Sequence, residues 1–108
     1  MRELKEFRIL FEPVPKGSEV RQADLGLRSK LGGKPDWEQA EEIPACPGCR
    51  RPMTFVGQID SIEFDSKDNP HRVPCLSGTA EYMFGDVGLI YIFFCFECLK
   101  SKSVFQCG

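Results

Sequence analysis

The sequence predicts a mainly β fold, a small antiparallel sheet whose two ends are drawn together. The alternative is α+β, should one or two short helical turns form. Three observations predict this. Cys46-Pro47-Gly48-Cys49 and Cys95-Phe96-Glu97-Cys98 are two CxxC pairs with residues 50–94 between them. Each pair places two thiolates about one tight turn. Two such turns face to face supply four sulfurs in a tetrahedron, the ligand set of a closed structural zinc site. Next, Leu89–Phe94 is an unbroken β-branched and aromatic run that delivers Cys95 into the second turn. Finally, the first pair feeds directly into an alternating stretch at Met53–Asp60. Both pairs therefore sit at strand ends, the layout of a split zinc ribbon with Cys46, Cys49, Cys95 and Cys98 as ligands to one structural zinc ion.

Length and composition fit this reading. The 108 residues make one domain, 1–108, with 42% hydrophobic residues and nine Phe available for a core. A domain of this size buries a modest fraction of its surface, so a metal staple is useful. Net charge is −2, which argues against a generally basic nucleic-acid surface. Zinc with four thiolates would take it to about −4. Arg50, Arg51, Lys100 and Lys102 flank the two pairs and can balance that charge. Six cysteines would also make three disulfides in a secreted protein. The first residues, MRELKE, hold no apolar signal core, and the longest apolar run, Leu89–Phe96, is far too short to span a bilayer. A reducing cytoplasm, and metal in place of disulfides, is the expectation, with no membrane contact.

The elements follow in order. Residues 4–14 read as a strand, with Phe7, Ile9 and Phe11 alternating against Arg8, Leu10 and Glu12 until Pro13 and Pro15 end it. Residues 15–30 read as loop. Gly32-Gly33-Lys34-Pro35 is a tight loop that packs Trp37 over the sheet or the metal turn; it lacks the GxxxxGK[ST] phosphate-binding pattern. Residues 37–44 have room for one helical turn, with Asp36 as N-cap and Pro44 as the stop. In the strand 53–60, Met53, Phe55, Gly57 and Ile59 form one face and Thr54, Val56, Gln58 and Asp60 the other. Gly57 marks a bulge or a close backbone approach, and the opposite parity of Ile62 and Phe64 makes the strand bend or stop near Ser61. Residues 65–78 are surface loop, 79–84 a further strand and Gly85-Asp86-Val87-Gly88 a turn. Leu89–Phe94 lacks alternation and reads as buried on both faces. Residues 103–107 return as the second arm of a hairpin whose turn is the second cysteine pair.

The combination of SKLGGKPDW at 29–37, CPGC at 46–49 with Arg51-Pro52-Met53-Thr54-Phe55, Gln58, and the apolar strand running into Cys95, Cys98 and Val104-Phe105 resembles the N-terminal region of the programmed cell death protein 2 family. GDVGLIYIF at 85–93 is similar to the bacterial YwqG-like family. The resemblance implies a β-rich fold with a cysteine-bound zinc. The eukaryotic relatives are implicated as chaperones for a small-subunit ribosomal protein, while YwqG-like proteins are functionally obscure. In the eukaryotic pattern a histidine–arginine pair lies just before the last strand, whereas His71-Arg72 here falls well upstream.

The remaining chemistry is sparse. Catalytic zinc sites use histidine and leave one position open for water. The single histidine, His71, sits in a loop beside Pro70 and reads as solvated. Cys75 and Cys107 have no spacing partner and read as free thiols. No serine–histidine–acid set occurs, so no catalytic residues are assigned and the chain is not expected to be an enzyme. The expected role is a non-catalytic module that binds a protein, in a chaperone-like or ribosome-assembly setting. Two rivals stand beside it. One is a nucleic-acid-binding zinc ribbon that uses the cations beside the cysteine pairs. The other is a thiol–disulfide redox protein, for which the CxxC pairs lack the surrounding βαβ pattern.

Overall fold

A computed structural model describes residues 3, 4, 6, 8–14, 28–61 and 88–107. Four strands form one antiparallel sheet in the order β1-β2-β3-β4: β1 Lys30–Leu31, β2 Thr54–Asp60, β3 Leu89–Cys95 and β4 Lys100–Gln106. No helix occurs among the described residues, so the turn expected at 37–44 is absent and the fold is all β there. Residues 4, 6 and 8–14 are not strand either; Ile9, Leu10 and Phe11 are exposed and pair with no strand among the described residues. The expectations for residues 62–87, including the loop at 65–78, the strand at 79–84 and the turn before Gly88, lie outside the described residues.

The apolar run becomes the central strand. β3 pairs with β2 on one side and with β4 on the other. It is not buried on both faces. Leu89, Tyr91, Phe93 and Cys95 are buried, while Ile90, Ile92 and Phe94 are half-buried. The unbroken run of apolar residues masked an ordinary antiparallel sheet, packed fully on one face only.

β2 contains the expected irregularity. Its register to β3 steps from Phe55 opposite Phe93 to Gly57 opposite Ile92, leaving Val56 as the extra residue of a bulge. A bulge reverses side-chain parity. Met53 and Phe55 therefore share the core face with Gln58 and Asp60, and Ile59 turns outward at 40% exposed. Gly57 also meets the other expectation. A Cβ there would lie 2.7 Å from the carbonyl oxygen of Lys30 and 2.8 Å from Leu31 Cδ2, so only glycine lets β1 approach this closely. The strand stops at Asp60, next to Ser61.

The core face of the sheet is covered by a strap, residues 35–40, that has no regular structure. A packed loop must find partners for its backbone groups, and three side chains on three neighbouring strands supply them. From β2, Gln58 accepts from the Asp36 N–H (3.0 Å) and donates to the Arg28 carbonyl (2.6 Å). From β3, the Tyr91 hydroxyl donates to the Asp36 carbonyl (2.7 Å) and accepts from the Glu38 N–H (2.9 Å). From β4, Gln106 accepts from the Gln39 N–H (3.0 Å) and donates to the Ala40 carbonyl (2.6 Å). Trp37 lies over the sheet, its ring 4.8 Å from Tyr91 and stacked on Phe93 at 6.1 Å. Just before β1, Arg28 is buried, gripping Asp60 with two side-chain bonds (3.0 and 2.8 Å) and pairing with Glu38 of the strap. Burying these charges is tolerable because each is paired and hydrogen-bonded.

Candidate metal centre

The two cysteine pairs fold into near copies of one turn. In the first, the Arg50 N–H donates to the Cys46 carbonyl at 2.8 Å; in the second, the Leu99 N–H donates to the Cys95 carbonyl at 2.8 Å. Arg50 and Leu99, each the residue after the pair's second cysteine, take left-handed backbone angles, with φ of 62° and 55°. Such angles cost an L-residue roughly 1–2 kcal/mol. Their recurrence at the same place in both turns shows that the turn, not the residue type, dictates them. Each turn also closes a hairpin. β3 and β4 flank the second, with Cys95 opposite Lys100. The first is flanked by an isolated bridge between Ala45 and Pro52, fixed by Cys46 N–H to the Arg51 carbonyl (2.8 Å) and Met53 N–H to the Pro44 carbonyl (2.9 Å).

Because β2 and β3 are neighbours, the two turns meet at one end of the sheet. The Sγ atoms of Cys46, Cys49, Cys95 and Cys98 all lie within 4.8 Å of one another, close enough to hold a metal ion. The Cys49 and Cys95 sulfurs are 3.8 Å apart. An ion bound tetrahedrally by four thiolates at about 2.3 Å requires sulfur–sulfur edges of about 3.8 Å, so the array fits such an ion with little adjustment. No disulfide joins these sulfurs, whose bonded separation would be about 2.05 Å. All four cysteines, and half-buried Cys107, are free thiols. Cys107 stands outside the cluster. Cys75 and His71 lie outside the described residues.

The polypeptide is arranged to carry negative charge on these sulfurs. The Gly48 N–H points at Cys46 Sγ (3.4 Å) and the Cys98 N–H at Cys95 Sγ (3.5 Å). Backbone donors, that of Cys49 foremost, lower the Cys46 thiol from 9.0 to about 6, against the opposing effect of burial. Cys98 moves the other way, to about 12, chiefly through its hydrogen bond with Cys46 and then by burial. The surroundings thus favour the thiolate at Cys46 and the thiol at Cys98. Four adjacent thiolates would need a cation among them, which a metal ion held by Cys46, Cys49, Cys95 and Cys98 would supply.

Packing pins the array. Cys46 and Cys95 are part of the buried core with Met53, Leu89, Tyr91, Phe93 and Val104; Cys49 and Cys98 pack against it. Gly48 is set close to the sulfurs, since a Cβ there would stand 3.1 Å from Cys98 Sγ and 3.6 Å from Cys46 Sγ. This spacing role was not read from the CPGC motif, although a small residue between paired cysteines was its signal. Of the four cations that flank the pairs, Arg50, Lys100 and Lys102 are exposed; Arg51, also exposed, reaches Glu97 of the other turn at 3.8 Å. Asp86, read as a turn residue, lies outside the described residues. No helix among the described residues is long and apolar enough to cross a membrane.

Comparison with known proteins places the chain near uncharacterised ones. Residues 29–79 match the model of a family described as a domain of unknown function (DUF1963). That match contains the first cysteine pair and stops short of the second. The chain is 26% identical over 78 residues to the uncharacterized protein YpfL of Salmonella typhimurium, strain LT2. The aligned stretch is 72% of this chain but only 15% of that protein. No solved structure matches the chain.

Proposed function

We propose that the chain is a small zinc-binding, non-catalytic module that recognises a protein. The observation that carries this reading is the closed set of four sulfurs within 4.8 Å, built into the core rather than placed in a cleft. Four thiolates in tetrahedral array suit zinc and exclude the oxygen-seeking magnesium and calcium ions. With every coordination position taken by cysteine, no position is left for a substrate or an activated water, and the role of the ion is to clamp residues 46–49 to 95–98. The metal is then worth folding free energy, since the unfolded chain has no such site.

The protein-binding part of the reading draws on the surface beyond the clamp. Phe96, Leu99 and Phe105 are 66%, 73% and 50% exposed, and β4, seven residues long, is an edge strand among the described residues. An open edge captures an extended segment by strand addition. The resemblance to a family of ribosomal-protein chaperones points the same way. The nucleic-acid alternative rests on exposed Arg50, Lys100 and Lys102 beside the metal; the net charge of −2 and the contact of Arg51 with Glu97 weigh against it. The test is titration of the zinc-loaded protein with extended peptides and with single-stranded RNA over a range of salt. Peptide binding that persists at high salt is the expected result. RNA binding with a steep inverse salt dependence, and no peptide binding, would replace the reading with its alternative.

A further inference from the structure

Residues 8–12, Arg-Ile-Leu-Phe-Glu, have the alternation of a strand and pair with no strand among the described residues. Ile9, Leu10 and Phe11 are 76%, 84% and 80% exposed. Three consecutive large apolar side chains in water are unfavourable, each forgoing the free energy of burial. At the same time β4 lacks a neighbour on its outer side among the described residues. One apolar row crosses the outer face of the sheet through Ile59, Ile90 and Phe105, which are register partners, and ends at the open edge on half-exposed Phe105. A fifth strand bearing Ile9 and Phe11 on one face would extend that row and cover Phe105.

Charge selects among occupants of this edge. β4 carries Lys100 and Lys102 and no acid, so two β4 strands paired with each other would bring like charges together. Residues 6–12 carry Glu6 and Glu12 against Arg8, which complements β4. The thirteen residues 15–27 span at most about 50 Å, well beyond the roughly 14 Å width of a four-stranded sheet. The segment can therefore reach its own edge, yet in the single chain it stays off it. We infer that residues 8–12 of one copy add as a strand to the β4 edge of a second copy, and reciprocally, giving a closed two-fold dimer. This rests on the reading of the chain as a protein-binding module and names its partner as a second copy of itself.

The test is the mass of the full, zinc-loaded chain by sedimentation over a concentration series. The wild type should double from 12.2 kDa as concentration rises. Ile9→Asp with Phe11→Asp removes the donor strand; Phe105→Asp spoils the acceptor edge. Each variant alone should remain at the mass of one chain, and an equimolar mixture, which keeps one of the two strand additions, should reach the double mass at a higher concentration than the wild type. All these positions are outside the core, and an unchanged zinc content per chain checks that each variant folds. A wild type that stays at single mass, whether its segment is free or laid on its own edge, overturns the inference. So does a dimer that survives both variants. Peptide binding by a monomeric wild type would leave the protein-binding reading standing while this inference fails.

Discussion

Tyr91→Phe isolates what holds the strap to the sheet. The Tyr91 side chain is fully buried on β3, and its hydroxyl makes two bonds, donating to the Asp36 carbonyl at 2.7 Å and accepting from the Glu38 N–H at 2.9 Å. Phenylalanine keeps the ring and its contact with Trp37 but deletes both bonds. Each backbone group left without a partner costs roughly 1–3 kcal/mol when fully buried. The strap is half-buried, so water can reach part of what is lost. The expected total is therefore about 2 kcal/mol, near the low end of the sum. For a domain of about 100 residues this lowers Tm by roughly 8–16 °C. The assay is urea and thermal unfolding of the zinc-loaded protein, with zinc content measured in parallel. Zinc stoichiometry should not change, because Tyr91 touches none of the four cysteines' bonds described above. A loss below about 0.5 kcal/mol, the range of ordinary surface substitutions, would refute the account of the strap as a load held by side-chain hooks.

Other consequences are open to measurement. Cys95→Ser removes a buried sulfur from the cluster and should leave zinc weakly held and the fold several kcal/mol less stable, read by metal competition and unfolding; full zinc retention and an unchanged Tm would sink the ligand assignment. Gly57→Ala forces a Cβ to within 2.7 Å of the Lys30 carbonyl oxygen and should cost about 1–3 kcal/mol while leaving zinc affinity unchanged, since the clash lies at β1. Burial raises the Tyr91 phenol from 10.0 to about 12. Because the folded value is the higher one, the associated stability is complete below pH 10 and is lost as pH rises through about 12. Tyrosinate absorbance in a Tyr82→Phe background should show Tyr91 ionising together with unfolding in that window, and free titration near pH 10 in the folded protein would contradict its burial.

The clamp and the strands beside it were legible because their signals are local. Two CxxC spacings, the run at 89–94 and the glycine at 57 each state their role within a few residues, and the structure brings the four cysteines together, bulges β2 at Val56 and pairs the arms of the second turn. Of the strap only Trp37 was legible, expected over the sheet or the metal turn and found over the sheet; the bonds that hold the strap were not. Its partners come from Gln58, Tyr91 and Gln106, up to 67 residues away, and glutamines on a core face look like solvent-facing positions until the loop they serve is in place. The same holds for Arg28, which reads as a loop cation and is instead buried against Asp60 and Glu38. The bulge shows how one residue misleads a pattern. Strict alternation assigned Ile59 to the face of Phe55 and Asp60 to the opposite one, and the extra residue at Val56 exchanged them. The opposite error occurred at residues 8–12, where good alternation gave no strand, because alternation supplies a face but not a partner to pair with.

Metal content and thiol accessibility, determined together on protein purified without a metal-chelating tag, would decide whether the four cysteines hold zinc. One zinc per chain is expected, with Cys46, Cys49, Cys95 and Cys98 shielded from alkylation until a chelator is added and Cys107 insensitive to the chelator. Protein that folds with no bound metal, with the four cysteines alkylated at the same rate before and after chelation, would contradict it.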